Sequence, residues 1–140
     1  TVRGICKRMR LSNHQTDLVS WLVAHQRDLD EAAELPLARL KRLLAHQHIG
    51  ELLTLARRSA MAQQREPAGI DFAADYLART PAAVLDPPEL IDGADLQSLG
   101  LAPGPQFKGI LTSVRDAQLN DEITTREAAI ELAKQRAGAE

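Results

Sequence analysis

The sequence predicts an all-α protein, a helical bundle of about seven helices. Three observations lead there. Alanine, leucine, glutamine and arginine dominate, aromatic residues make up only 3% of the 140, and apolar residues recur three and four positions apart rather than alternating. A chain of this length can bury a sizeable core without disulfides or metals. Cys6 is the single cysteine, so no internal disulfide or zinc site is expected, and a reducing cytoplasm is the expected compartment. Cys6 itself reads as a small buried residue. No apolar run approaches the ~20 residues of a membrane helix, and no signal-peptide core opens the chain. Thr1 falls in mid-pattern, which reads as the edge of a piece of a longer chain.

The first ten residues, "TVRGICKRMR", place Ile5 and Met9 on one helical face and look like the end of a helix. Ser12 with Gln15 forms a capping box that opens the next. Leu18, Leu22 and Leu29, with Trp21 beside them, give it a stripe, and the acidic run "DLDEAAE" closes it near residue 28 as a solvated cap. Pro36 suits a first helical turn, followed by Leu37, Leu40, Leu43 and Leu44 up to His46. Gly50 precedes a helix with Leu52, Leu55, Ala56, Ser59, Ala60 and Gln63 on one face. Phe72, Tyr76 and Leu77 mark another, and Pro81, Pro87 and Pro88 make an extended or turn-rich stretch. Asp95 begins a short helix that Gly100 stops in a left-handed C′ position, with Leu101 folding back. Pro105 then restarts the helix, with Phe107, Ile110, Leu111, Val114 and Leu119 facing the core and Gly109 placed for close backbone approach. Thr124 and Glu127 form the capping box of the last helix, whose Ala128, Ile130 and Leu132 point inward.

Two parts follow: a basic helical body over 1–85 and a helical tail over 86–140. Residues 1–65 hold 11 Lys+Arg and 6 Asp+Glu, whereas residues 66–140 hold 6 and 13. A basic lobe suits a polyanion, although a solvated arginine face has the same composition.

The segment "LIDGADLQSLGLAPGPQFKGIL" gathers four glycines and two prolines among helical patterns. A helix that stops, turns and restarts offers free N–H groups to an anion, and phosphate is the commonest taken there. Around residues 95–110 this is a helix-hairpin-helix-like turn, a device that grips nucleic-acid backbone without reading bases. A plain interhelical turn has the same spacing.

This segment, followed by "VRDAQLNDEITTREAAIEL", resembles the C-terminal signature of the bacterial tRNA nucleotidyltransferases and poly(A) polymerases, the class II CCA-adding family. The matching positions are Leu90, Gly93, Asp95, Leu96, Leu99, Gly100, Leu101, Pro103, Gly104, Pro105, Gly109, Leu111, Ala117, Gln118 and Leu119, then Thr125, Glu127, Ala128 and Leu132. Upstream, "RMRLSN" and "LVSWLVAHQ" carry a weaker similarity. The resemblance implies the body and tail of an enzyme that extends RNA 3′ ends, with its catalytic head encoded before Thr1. It implies a tRNA or other RNA 3′ end and that head as partners, no membrane, and Mg2+ with ATP or CTP used by the head rather than here.

The only Asp-x-Asp is Asp28 with Asp30, and neither a Gly-Ser loop nor a strand pattern precedes it, so no catalytic residue or metal ligand is expected. The four histidines show no His-Asp pairing and read as ordinary polar residues. The residues expected to meet RNA are Arg39, Lys41, Arg42, Arg57 and Arg58 on two successive helices, with Gly100, Pro103, Gly104, Gln106, Lys108 and Arg115 around the turn. The alternative is a helical scaffold or dimerisation module in which the turn merely joins helices.

Overall fold

A computed structural model describes residues 1–138. Among them the chain is all-helical: α1 Val2–Arg8, α2 Asn13–His25, a 3-10 segment Asp28–Glu34, α3 Leu37–Leu44, α4 Ile49–Ala62, α5 Ala68–Arg79, α6 Ala82–Leu85, α7 Gly93–Ser98, α8 Pro105–Leu119 and α9 Arg126–Gly138. These are ten helical segments rather than about seven. Among those not expected are the 3-10 segment, where an acidic cap was expected, and the single turn α6 within the proline-rich stretch. None of these helices is long and apolar enough to cross a membrane. Two compact units form, one from Thr1–Leu35 with Leu43–Pro81, the other from Pro36–Arg42 with the chain from Ala82 onward.

In the first unit α1 and α2 pack as a pair. The Ser12 hydroxyl accepts from the Gln15 amide at 3.1 Å, and the Gln15 side-chain Oε1 accepts from the Ser12 amide at 2.9 Å, so the capping box is reciprocal. The helix stops at His25. The acidic run continues as a 3-10 segment because Leu29 and Ala32 are wholly buried. α5 lies directly on that segment: a Cβ on Gly69 would fall on the carbonyl oxygens of Asp30 and Leu29. Leu52, Ala56 and Ala60 of α4 and Ile70 and Ala73 of α5 complete the interior, and Cys6 is buried as well.

The second unit has its core at Ile91, Leu96, Ile110, Val114, Ala129 and Ala133, with Phe107, Leu101 and Ile130 among the residues packed around it. Asp92, rather than Asp95, caps α7; Asp95 is its reciprocal partner three residues on. Similarly Thr125, not Thr124, caps α9 by accepting from the Ala128 amide at 3.2 Å. The inward face of α9 is Ala129 and Ala133, both at 0% exposure, with Ile130 and Leu132 half-buried beside them. Two alanines four residues apart let α9 settle close on α8.

The start of α3 is fastened to the end of α8. Asn120 Oδ1 accepts from the Ala38 amide at 2.8 Å, Lys41 Nζ donates to Asp121 at 3.0 Å, and Arg42 pairs with Asp116. No local pattern announces these links, which span some 80 residues of chain.

Candidate functional site

The turn between α7 and α8 is built by backbone bonds on one side and left open on the other. Gly100 has φ 86°; its amide donates to the Gln97 carbonyl at 2.9 Å and the Leu101 amide to the Leu96 carbonyl at 3.2 Å. That pair of bonds is the Schellman stop, and Leu101 packs against the core as its hydrophobic contact. Gly104 then precedes α8 as an N-cap without a side-chain bond, and Pro105 takes the first helical position. The Phe107 amide turns inward, donating to the Gly104 carbonyl at 3.1 Å. The backbone of Gly104 and Gln106 is different. Both residues are exposed, and among the described residues neither amide has a partner. Lys108 and Gly109 follow on the exposed side of the same turn. Gly109 was placed for close backbone approach, yet among the described residues no atom beyond its own helix lies within 4 Å of where its Cβ would be. The close approach that requires glycine is at Gly69, a position the sequence did not single out.

The charged residues read from the sequence differ in exposure and in what holds them. Lys41 is 1% exposed and bound to Asp121, so it presents nothing to a phosphate. Arg115 is a strut: its guanidinium donates to the Pro87 carbonyl at 2.7 Å, to Gln118 at 2.9 Å and to Asp86 at 2.6 Å. Gln118, buried, donates to the Pro88 carbonyl at 2.8 Å. Together they tie the proline stretch to α8. Arg42 is exposed but paired with Asp116, and Arg57 with Asp71 at 2.6 Å. Arg39, Arg58 and Lys108 are exposed. Arg57 and Arg58 belong to the first unit, while Arg39, Lys41, Arg42 and the turn residues Gly100, Pro103, Gly104, Gln106, Lys108 and Arg115 belong to the second.

The histidines are not scattered polar residues. All four gather in the first unit around Trp21, the single tryptophan. His46 lies flat on the indole, ring centroids 3.7 Å apart and planes 10° apart; His25 is 5.0 Å and His48 6.5 Å from the same ring, and His14 is 5.9 Å from His48. A cleft of about 450 Å³ runs between them, with Arg3, Asp17 and Ser20 on its wall. His46 Nδ1 accepts from the His48 amide at 3.1 Å. His25 bonds Asp28 at 2.8 Å, and His48 Nδ1 stands 3.6 Å from Glu51, a distance suited to an ion pair only when the ring is protonated. Ser20 Oγ and His48 Nδ1 are buried without a hydrogen-bond partner. Burial, reinforced by His48 and His25, holds the His46 pKa below its ordinary 6.5. Sequence spacing missed this cluster because His14 and His25 come from α2 and the other two from the turn before α4, which only packing brings together.

Asp28 and Asp30 do not form a carboxylate pair for a metal: one bonds His25 and the other pairs with Arg65. Among the described residues no group of three or more His, Cys, Asp or Glu side chains is arranged to hold a metal ion. Comparison with protein-family models, curated proteins and solved structures finds no match to this chain.

Proposed function

We propose that the chain is the RNA-holding body and tail of an enzyme of the tRNA nucleotidyltransferase and poly(A) polymerase kind, with the head of α8 as the phosphate contact. The observation that carries the reading is Gly109. A glycine inside a helix costs about 0.5–1 kcal/mol relative to alanine, and among the described residues nothing beyond its own helix approaches it. It follows the exposed Gly104 and Gln106 amides and the Lys108 ammonium, so a sugar-phosphate backbone can close onto the first turns of α8 without meeting a side chain. The positions resembling the family signature also have work in this fold: Gly100 stops α7, Leu96 fills the core and Gln118 holds the proline stretch. Arg39 in the second unit and Arg58 in the first are exposed cations that suit further phosphates.

The test separates folding from binding. Gly109→Ala raises stability by about 0.5–1 kcal/mol and weakens tRNA binding about tenfold, equivalent to ~1.4 kcal/mol. Lys108→Gln lowers the steepness of log affinity against log salt by about 1. A stabilised Gly109→Ala protein that binds tRNA as before overturns the phosphate contact.

A second reading, association through an apolar face, has its own observation. Ile5 of α1, Met9 just past its end and Val23 of α2 are 48%, 67% and 42% exposed, and no residue of α2 is fully buried. Sedimentation of the wild type and of Met9→Lys decides: a dimer that the charge dissociates, indifferent to tRNA, favours association.

A further inference from the structure

The His46–Trp21 stack joins three properties that have no separate use. The imidazole lies on the indole, its Nδ1 is the acceptor for the His48 amide, and two further histidines stand within stacking or tilted contact of the same pair. A neutral imidazole that accepts through Nδ1 carries its proton on Nε2. The next proton must therefore land on the nitrogen already engaged by the backbone, and an imidazolium has two donors and no acceptor. We propose that His46 is a proton-operated latch: neutral, it holds the turn before α4 against Trp21 of α2; protonated, it gives up the His48 amide and the turn opens into the cleft.

The charged surroundings decide the direction. From α1 the cleft is faced by Arg3; from α2 by His14, Asp17 and His25; from the turn by His48. Arg3 and Asp17 pair at 2.9 Å, Asp28 of the 3-10 segment pairs with His25, and Glu51 of α4 stands by His48. Each carboxylate thus has its own cationic or protonatable neighbour. A cation over the indole gains cation–π attraction, but the same proton removes the turn bond and places a charge 5.6 Å from the His48 ring, on an indole that His25 also contacts at 5.0 Å. The depressed His46 pKa agrees in direction with the neutral form being the one the fold keeps.

Nitrogen-15 NMR of the full chain from pH 8 to 5 tests this. His46 is expected as the Nε2–H tautomer at pH 7.5, with a midpoint below 6.5. As it protonates, exchange of the His48 amide should quicken at least tenfold beyond the ordinary pH dependence, and Trp21 emission should change in the same transition. His46→Asn puts an amide oxygen near the place of Nδ1 and cannot titrate, so the His48 amide should stay protected to pH 5. A midpoint at or above 6.5, a His48 amide that ignores His46 protonation, or a His46→Asn protein that still opens overturns the latch. The wild-type titration decides by itself if the variant does not fold.

Discussion

Arg10, Gln64 and Asp121 take φ of 57°, 53° and 60°, and each stands just past a helix. After α4 the Arg65 amide reaches the Ala60 carbonyl at 2.8 Å, and after α8 the Glu122 amide reaches that of Ala117 at 2.9 Å. Both are the stop Gly100 makes after α7, built without glycine. A side chain in that region costs about 1–2 kcal/mol, so Gln64→Gly, at an exposed position, should stabilise the protein by about 0.5–1 kcal/mol after the added chain entropy. Asp121→Gly relieves the same backbone yet should do the reverse. Its carboxylate is the partner of Lys41, which is 1% exposed, and a buried charge left alone costs about 3–5 kcal/mol. The exposure of Asp121, 65% at its side chain, reduces that penalty, but not its sign. Urea denaturation of the two variants, with slopes compared, checks that the same dihedral change moves stability in opposite directions.

Elements were legible where their ends are local and illegible where packing sets them. The Ser12 box, the Gly100 stop and the Pro105 restart each lie within a few residues and were readable. The 3-10 segment was not, because "DLDEAAE" is acidic enough to look solvated while Leu29 and Ala32 are drawn inside by α5. The site divides the same way. The open turn at Gly104 could be read, whereas the burial of Lys41, the strut made by Arg115 and the histidine cluster depend on partners from distant segments. Gly69 states the α5 case most sharply, since a methyl group there meets backbone rather than a yielding side chain. Gly69→Ala should therefore destabilise the protein by about 1–3 kcal/mol, the overpacking range, despite alanine's better helix propensity. Gly109→Ala, the same change on an open helical face, should stabilise. A thermal denaturation pair that moved both midpoints the same way would contradict the packing of α5 on the 3-10 segment.

At the scale of the molecule, charge is distributed by segment, with the basic excess before residue 66 and the acidic one after it. Several of those cations are spent on carboxylates within their own unit, Arg57 on Asp71 and Arg65 on Asp30 in the first, Arg42 on Asp116 in the second. The count of cations alone therefore overstates the field available to a polyanion, and stability carries a pH dependence that composition does not display. The His46 pKa is held down in the folded state, so the unfolded chain binds its proton first as pH falls. Its contribution to stability is complete above the unfolded value near 6.5 and is lost as pH drops through the lower folded value. Denaturant midpoints should accordingly hold steady from pH 8 to 7 and decline from about 6.5 downward. His46→Asn should flatten that decline. A midpoint that rises as the solution is acidified from 7 to 5.5 would mean that the imidazolium is favoured on Trp21, reversing the sign on which both the stability profile and the latch depend.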